Sequence, residues 1–166
     1  MTLTHNIPVR WSMDKKFIVS CFVSLLICLS FYLQPYKLIV IVGQSMMPTL
    51  RNGQIVLAKR ENKYNRGDIV VINDTSEDAI IVKRIIFTPG DYYYYILDSQ
   101  KFQMVFLLDN SFRSILEAKA NYGDAVQEYK LGEDSYFVVG DNLNNSDDSR
   151  RFGPIKKDEI IYKVIK

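Results

Sequence analysis

The chain has 166 residues, a formal net charge of +2, and 24% charged residues. That length fits one globular domain with an appendage, and the interspersed charges give neither a polybasic arm nor the signature of a nucleic-acid-binding protein. Its one histidine is His5 and its two cysteines are Cys21 and Cys28, so residues 35–166 can build no disulfide, no Cys- or His-ligated zinc site and no Ser-His-Asp triad.

Phe17 to Leu33 carries no charge. As a helix it would span about 25 Å at ~1.5 Å per residue, near the lower limit for crossing a bilayer. Gln34, Pro35 and Tyr36 can complete the outer interface. Trp11 on one side, with Tyr32 and Tyr36 on the other, suits interfacial aromatic belts. Arg10, Lys15 and Lys16 precede the segment, whereas Lys37 is the one nearby cation after it, so the positive-inside rule places the N-terminus in the cytoplasm. A cleavable secretory signal peptide is the alternative, but Phe31-Tyr-Leu-Gln-Pro35 is bulky and offers no clear small-x-small site. The absence of an amphipathic period argues against a buried globular helix. The expectation is a cytoplasmic segment (1–16), a single-pass anchor (17–34) in the plasma membrane, and an extracytoplasmic domain (35–166).

Pro35 stops the helix, and a mainly β-branched run, Leu38 to Gly43, follows. Further strands are predicted at Gln54–Ala58, Asp68–Ile72, Ile80–Ile86, Tyr92–Leu97, Met104–Leu108 and Tyr136–Val139. Turn signals separate many of them: Arg51-Asn-Gly53, Arg66-Gly-Asp68, Thr88-Pro-Gly-Asp91 and Gly140-Asp-Asn142. Ser114–Ala120 is the best soluble helix. The four tyrosines at 92–95 read as a strand with aromatic faces rather than a ligand box. Short strands with frequent turns predict a mostly-β domain.

Three groups of residues bear on chemistry. Ser45 follows Gly43-Gln44 and precedes Met46-Met47-Pro48. Proline holds Met47 extended, and Gly43 permits φ > 0 or the close approach of another backbone. A serine in a rigid turn at a strand end can be a nucleophile, though most loop serines are solvated turn residues. Lys83 lies in Ala79-Ile-Ile-Val-Lys-Arg-Ile-Ile86, where alternation puts Ile81, Lys83 and Ile85 on one strand face and Val82, Arg84 and Ile86 on the other. Burial disfavours the ammonium and lowers a lysine's pKa. From an ordinary ~10.4, neutrality at pH 7 costs about 4.6 kcal/mol, and a shift of two or three units removes most of that. The alternative is an edge-strand lysine whose ammonium reaches water. The third group is Gly140-Asp-Asn-Leu-Asn-Asn-Ser-Asp-Asp-Ser-Arg150, too polar for a core strand and suited to a hydrogen-bonded loop. An EF-hand would need glycine and glutamate at positions six and twelve, and neither falls in place counting from Asp141.

Taken together, the motifs resemble those of bacterial type I signal peptidases, membrane-anchored serine proteases with a Ser/Lys dyad. Ser45-Met-Met-Pro-Thr-Leu50 is similar to the family's nucleophile box and Arg66-Gly-Asp-Ile-Val-Val71 to its next box. Lys83-Arg-Ile-Ile-Phe-Thr-Pro-Gly-Asp91 resembles the lysine box, and Gly140-Asp-Asn-x-x-Asn-Ser-x-Asp-Ser-Arg-x-x-Gly153 the last. The likeness runs from the anchor to about Ile155. It implies a small antiparallel-sheet or partial-barrel catalytic domain, with a β-rich insertion at about 92–135. It also implies Ser45 as nucleophile, Lys83 as general base, Ser146 orienting the lysine, and Asp148 with Arg150 as a structural ion pair. The Ser45 backbone N–H would be one oxyanion donor. Some members add a hydroxyl two residues before the nucleophile; here that residue is Gly43, which has none. Phe87 stands where the lysine box usually has glycine.

The activity so implied is removal of signal peptides from exported preproteins at the bilayer's outer face, with small residues at −1 and −3. No cofactor, metal or nucleic acid is required, and a monomer is the default. Two alternatives remain open at this stage: a specialised maturation peptidase of the same clan, of conjugation or pilin type, and an inactive membrane-tethered peptide-binding homologue.

Overall fold

A computed structural model describes residues 14–33, 35–74, 79–98, 103–107 and 111–165. His5, Arg10, Trp11, Gln34 and Leu108, named above, lie outside them. Two compact units divide at Pro35. The first holds helix α1 (Lys15–Leu33), about 28 Å long at ~1.5 Å per residue. Among the described residues it is the one helix long and apolar enough to cross a membrane. Phe17, Phe22, Leu25 and Phe31 are all exposed on it, so the helix lacks the polar face of a surface helix.

The second unit is mostly antiparallel β, as the turn-punctuated pattern predicts. Its strands are β1 (Tyr36–Val40), β2 (Ile55–Lys59), β3 (Ile69–Asp74), β4 (Ala79–Phe87), β5 (Tyr92–Asp98), β6 (Gln103–Leu107), β7 (Val126–Lys130), β8 (Ser135–Val139), β9 (Ile155–Lys156) and β10 (Ile160–Val164). Among the described residues, seven form one sheet in the order β1-β2-β10-β3-β4-β8-β9, and three form a smaller sheet ordered β6-β5-β7. Helix α2 (Phe112–Tyr122) links β6 to β7, and a single turn, α3 (Ser149–Phe152), precedes β9. Helix α2 extends the predicted Ser114–Ala120 at both ends, because the Ser111 side chain caps it and Gly123 closes it.

Strands β7, β9 and β10 are absent from the sequence-based expectation. Most of β7 is exposed, so no apolar alternation marks it. Strand β10 pairs with both β2 and β3, which are consecutive in the chain yet do not pair with each other.

The core follows from β3. Ile69 and Val71 face a cluster with Ile41, Met46, Val56 and Val164. Val70 and Ile72 face another with Ile85, Val138, Ile155 and Ile160. A strand covered on both faces has no polar side to show, hence the unbroken Ile69-Val-Val-Ile72. The tyrosine run does form strand β5. Tyr93 lies 5.0 Å from Phe137 and 6.5 Å from Phe87, ring centre to ring centre. Phe87 is fully buried beside a register shift in the β4–β8 pairing.

Candidate active site

Strand β4 has two different edges. Arg84 to Phe87 pairs with β8, whereas Ala79 to Lys83 is bonded to β3 on one side and to no described strand on the other. Strand β1 likewise pairs only with β2 among the described residues. Both unpaired edges line a cleft of about 350 Å³, bounded by Ile39 to Gly43, Ser45, Met46 and Ile80 to Lys83. A larger hollow of about 550 Å³ around Arg60, Tyr64 and Lys157 mixes charges of both signs without a nucleophile beside a base.

Ser45 enters the cleft from a turn built on the end of β1. Leu50 N–H donates to Met46 O at 2.9 Å and Met47 N–H to Gln44 O at 3.1 Å, while buried Met46 plugs the turn into the core. The Met47–Pro48 peptide is cis. Lys83 arrives from β4, opposite Val70 in register, and is only 4% exposed. Its Nζ donates to Ser45 Oγ at 2.9 Å. Among the described residues no carboxylate lies within ion-pair distance of that amine. Burial is the main reason its pKa falls below the usual 10.5. Asp148 and Asp147 pull it back up from a distance, and Arg150 adds to the lowering.

The polar loop after β8 closes the site from the other side. Asn142 N–H donates to Ser45 O at 2.8 Å, and Asn142 Nδ2 to Gln44 O at 3.2 Å. Gly140 makes that approach possible: a Cβ there would stand 2.6 Å from Ser45 O and 2.6 Å from Ser146 Cβ. Close approach is thus the role of Gly140 rather than of Gly43. Gly43 is needed for its φ of +96°, and a Cβ on it would meet nothing within 4 Å.

The family model described as "Signal peptidase, peptidase S26" matches residues 11–165. The chain belongs to this signal peptidase family. Signal peptidase I S of Bacillus subtilis strain 168 is 36% identical over 144 residues, covering 81% of this chain and 76% of its own. Signal peptidase I T of the same strain is 32% identical over 167 residues, covering 94% and 82%. A crystal structure of a signal peptidase I from Enterococcus faecalis aligns with 63% of this chain and 98% of its own, at 28% identity and a TM-score of 0.40.

In this signal peptidase family chain, the residues singled out in the sequence take the following places. Ser45 and Lys83, 38 residues apart, are in contact. Asp148 is fully buried and bidentate with Arg150, with Arg150 Nε donating to Oδ1 at 2.8 Å and Nη2 to Oδ2 at 2.9 Å. Gly140 N–H also donates to Asp148 Oδ2, at 3.0 Å. Burial alone would raise the Asp148 pKa; the Arg150 guanidinium and the Gly140 amide hold it below the ordinary carboxylate range instead. The Ser146 hydroxyl is buried over Gly140 and makes no well-formed hydrogen bond to Lys83 or to another described residue.

Sequence reasoning missed the second clamp on the loop. Arg84 Nε and Nη2 donate to the two Asp141 carboxylate oxygens at 2.7 and 2.6 Å, and Nη1 donates to Gly67 O at 2.8 Å. One guanidinium thereby fastens β4, the Arg66-Gly67 turn and the last loop together. The available signal was adjacency: Arg84 follows Lys83 and Asp141 precedes Asn142. Ser149, fully buried, accepts from Val138 N–H at 3.0 Å and pins the loop's far end to β8.

Proposed function

We propose that this protein removes signal peptides from exported preproteins, with Ser45 as nucleophile and Lys83 as general base. The observation that carries the reading is the 2.9 Å contact between Ser45 Oγ and a buried Lys83 amine that has no carboxylate partner among the described residues. An ammonium there has no ion-pair partner among the described residues to compensate its burial, which shifts the balance toward the neutral amine. Neutral, it accepts the Ser45 proton across that contact as Oγ attacks the scissile carbonyl. The new alkoxide is met by the Ser45 N–H, and the protonated amine then gives its proton to the leaving nitrogen. Water next attacks the acyl-enzyme, Lys83 again taking the proton, and Ser45 is released.

The unpaired edges of β1 and β4 suit a preprotein segment added as an extended strand between them. The shallow apolar cleft admits small side chains at −1 and −3. Ser146, with hydrogen-bonding capacity to spare, is suited to orient the lysine as it changes protonation, and Asp148 with Arg150 braces that loop. Helix α1 serves as a single-pass plasma-membrane anchor, its N-terminus cytoplasmic and residues 35–166 outside. Confining enzyme and substrate to one bilayer raises their effective concentration.

The test uses the full chain in lipid vesicles with a preprotein carrying a small-x-small site, the cut being located by mass spectrometry. Cleavage after the −1 residue is expected, and it should vanish in Ser45→Ala and in Lys83→Ala. Processing that persists in either variant rules the dyad out.

A further inference from the structure

We propose that Asn52 is a positioning residue for the nucleophile turn, holding the Gly43 amide so that the Ser45 N–H is aimed at the scissile carbonyl oxygen. The proposal rests on the dyad reading above and concerns the part of the site where a side-chain donor is missing.

The chain on either side of Gly43 is well anchored. Upstream, Ile41 N–H donates to Gln54 O and Gly53 N–H to Ile41 O, both at 2.8 Å. Downstream, Gln44 O and Ser45 O are gripped by Asn142. Val42 and Gly43 bridge these two stretches, and packing does not fix them: Val42 is 88% exposed, and the space where a Gly43 Cβ would stand is open. The polar contact that ties this bridge is Gly43 N–H donating to Asn52 Oδ1 at 2.9 Å. Asn52 is itself presented by a closed turn, in which Gln54 N–H donates to Arg51 O and Arg51 N–H to Gln54 Oε1, both at 3.0 Å. A glycine at φ +96° has little steric preference of its own, so the carboxamide sets the direction in which the chain enters Gln44 and Ser45.

This direction matters because Gly43 carries no hydroxyl to share the developing negative charge. The Ser45 amide then carries more of it, and an oxyanion donor works only when aimed at the oxygen's position in the transition state. Asn52 touches neither substrate nor reacting atoms and acts through Gly43.

The experiment measures steady-state cleavage by the full-length protein, its Asn52→Ala and Asn52→Asp variants, and Ser45→Ala as a control. It adds the binding of a peptide aldehyde, whose adduct with Ser45 places an oxygen in the oxyanion position, and the binding of an uncleavable peptide. Asn52→Ala should lower kcat by about tenfold, the effect of one neutral hydrogen bond, with KM changed less than about twofold on the same scale. Aldehyde affinity should fall in proportion to kcat while the uncleavable peptide binds as before. Asn52→Asp keeps an acceptor oxygen for the Gly43 amide and should recover most of the loss. If Ser45→Ala is inactive and Asn52→Ala cleaves at the parental rate, the positioning role is overturned and the dyad stands. Equal weakening of both ligands, or equal damage from Ala and Asp, makes Asn52 merely structural and also overturns it. Cleavage by Ser45→Ala removes the dyad and this role together.

Discussion

Lys83 and Arg84 are consecutive cations on β4 that leave the strand on opposite faces, and the fold treats them oppositely. Lys83 is buried with a hydroxyl as its hydrogen-bond partner, and burial lowers its pKa. Arg84 is met by both oxygens of Asp141 and by a backbone carbonyl. Its hydrogen bonds to Asp141 raise its pKa further. Strand alternation alone separates an amine whose pKa burial lowers from a guanidinium that stays charged and braces the loop. The contrast also separates what each residue contributes to stability: one cation is held at a cost, the other in a favourable network.

Substituting each of the two breaks the contrast in opposite directions. Lys83→Met should cut cleavage by roughly 10⁴-fold or more, as for other residues that act as a catalytic unit, yet raise the thermal midpoint by removing a desolvated amine. The sign follows from linkage. Because the folded pKa lies below 10.5, the unfolded chain binds more protons between the folded value and 10.5, so parental stability rises with pH across that window. That slope should flatten in Lys83→Met. For the same reason, parental kcat/KM should climb as pH rises through the folded pKa. A midpoint that falls on removing Lys83 would contradict this account.

Arg84→Met should act the other way and lose about 2–4 kcal/mol of stability, because it strips a partly buried carboxylate of its guanidinium. Urea titration reads that loss; an unchanged midpoint would deny Arg84 its bracing role. The smallest effect belongs to Asp147, which is exposed and raises the Lys83 pKa only from a distance. Asp147→Asn should move the acidic limb of kcat/KM slightly to lower pH, and a shift upward would show that the electrostatics around Lys83 have been misassigned.

Local features of the sequence account for much of this architecture. Turn dipeptides and β-branched runs mark β1 to β5, because those signals reside in the strands themselves. Strand β10 is different. Ile160-Ile-Tyr-Lys-Val164 is apolar enough to be a strand, but its insertion between β2 and β3 is decided by residues about a hundred positions away. Strand β7 is largely exposed and so carries no apolar period to read. Within the site, the four motifs place Ser45, Lys83 and the last loop in order. The Arg84–Asp141 clamp, the Gly140 approach and the Asn52 contact depend on distances that spacing along the chain does not encode. Ser146 illustrates the remainder: its burial over Gly140, without a bond to Lys83, becomes visible only once the loop is folded.

The place of β10 has a temporal consequence. Among the described residues, the β1–β2 hairpin that supplies one wall of the cleft is joined to the rest of the sheet through β10 alone. The chain is synthesised from the N-terminus, so the Ser45 turn and the Lys83 strand both emerge well before the strand that brings them into one sheet. Until residues 160–164 are in place, Ser45 and Lys83 belong to separate fragments of sheet. On the dyad reading proposed above, the site is therefore completed only when the last strand joins the sheet.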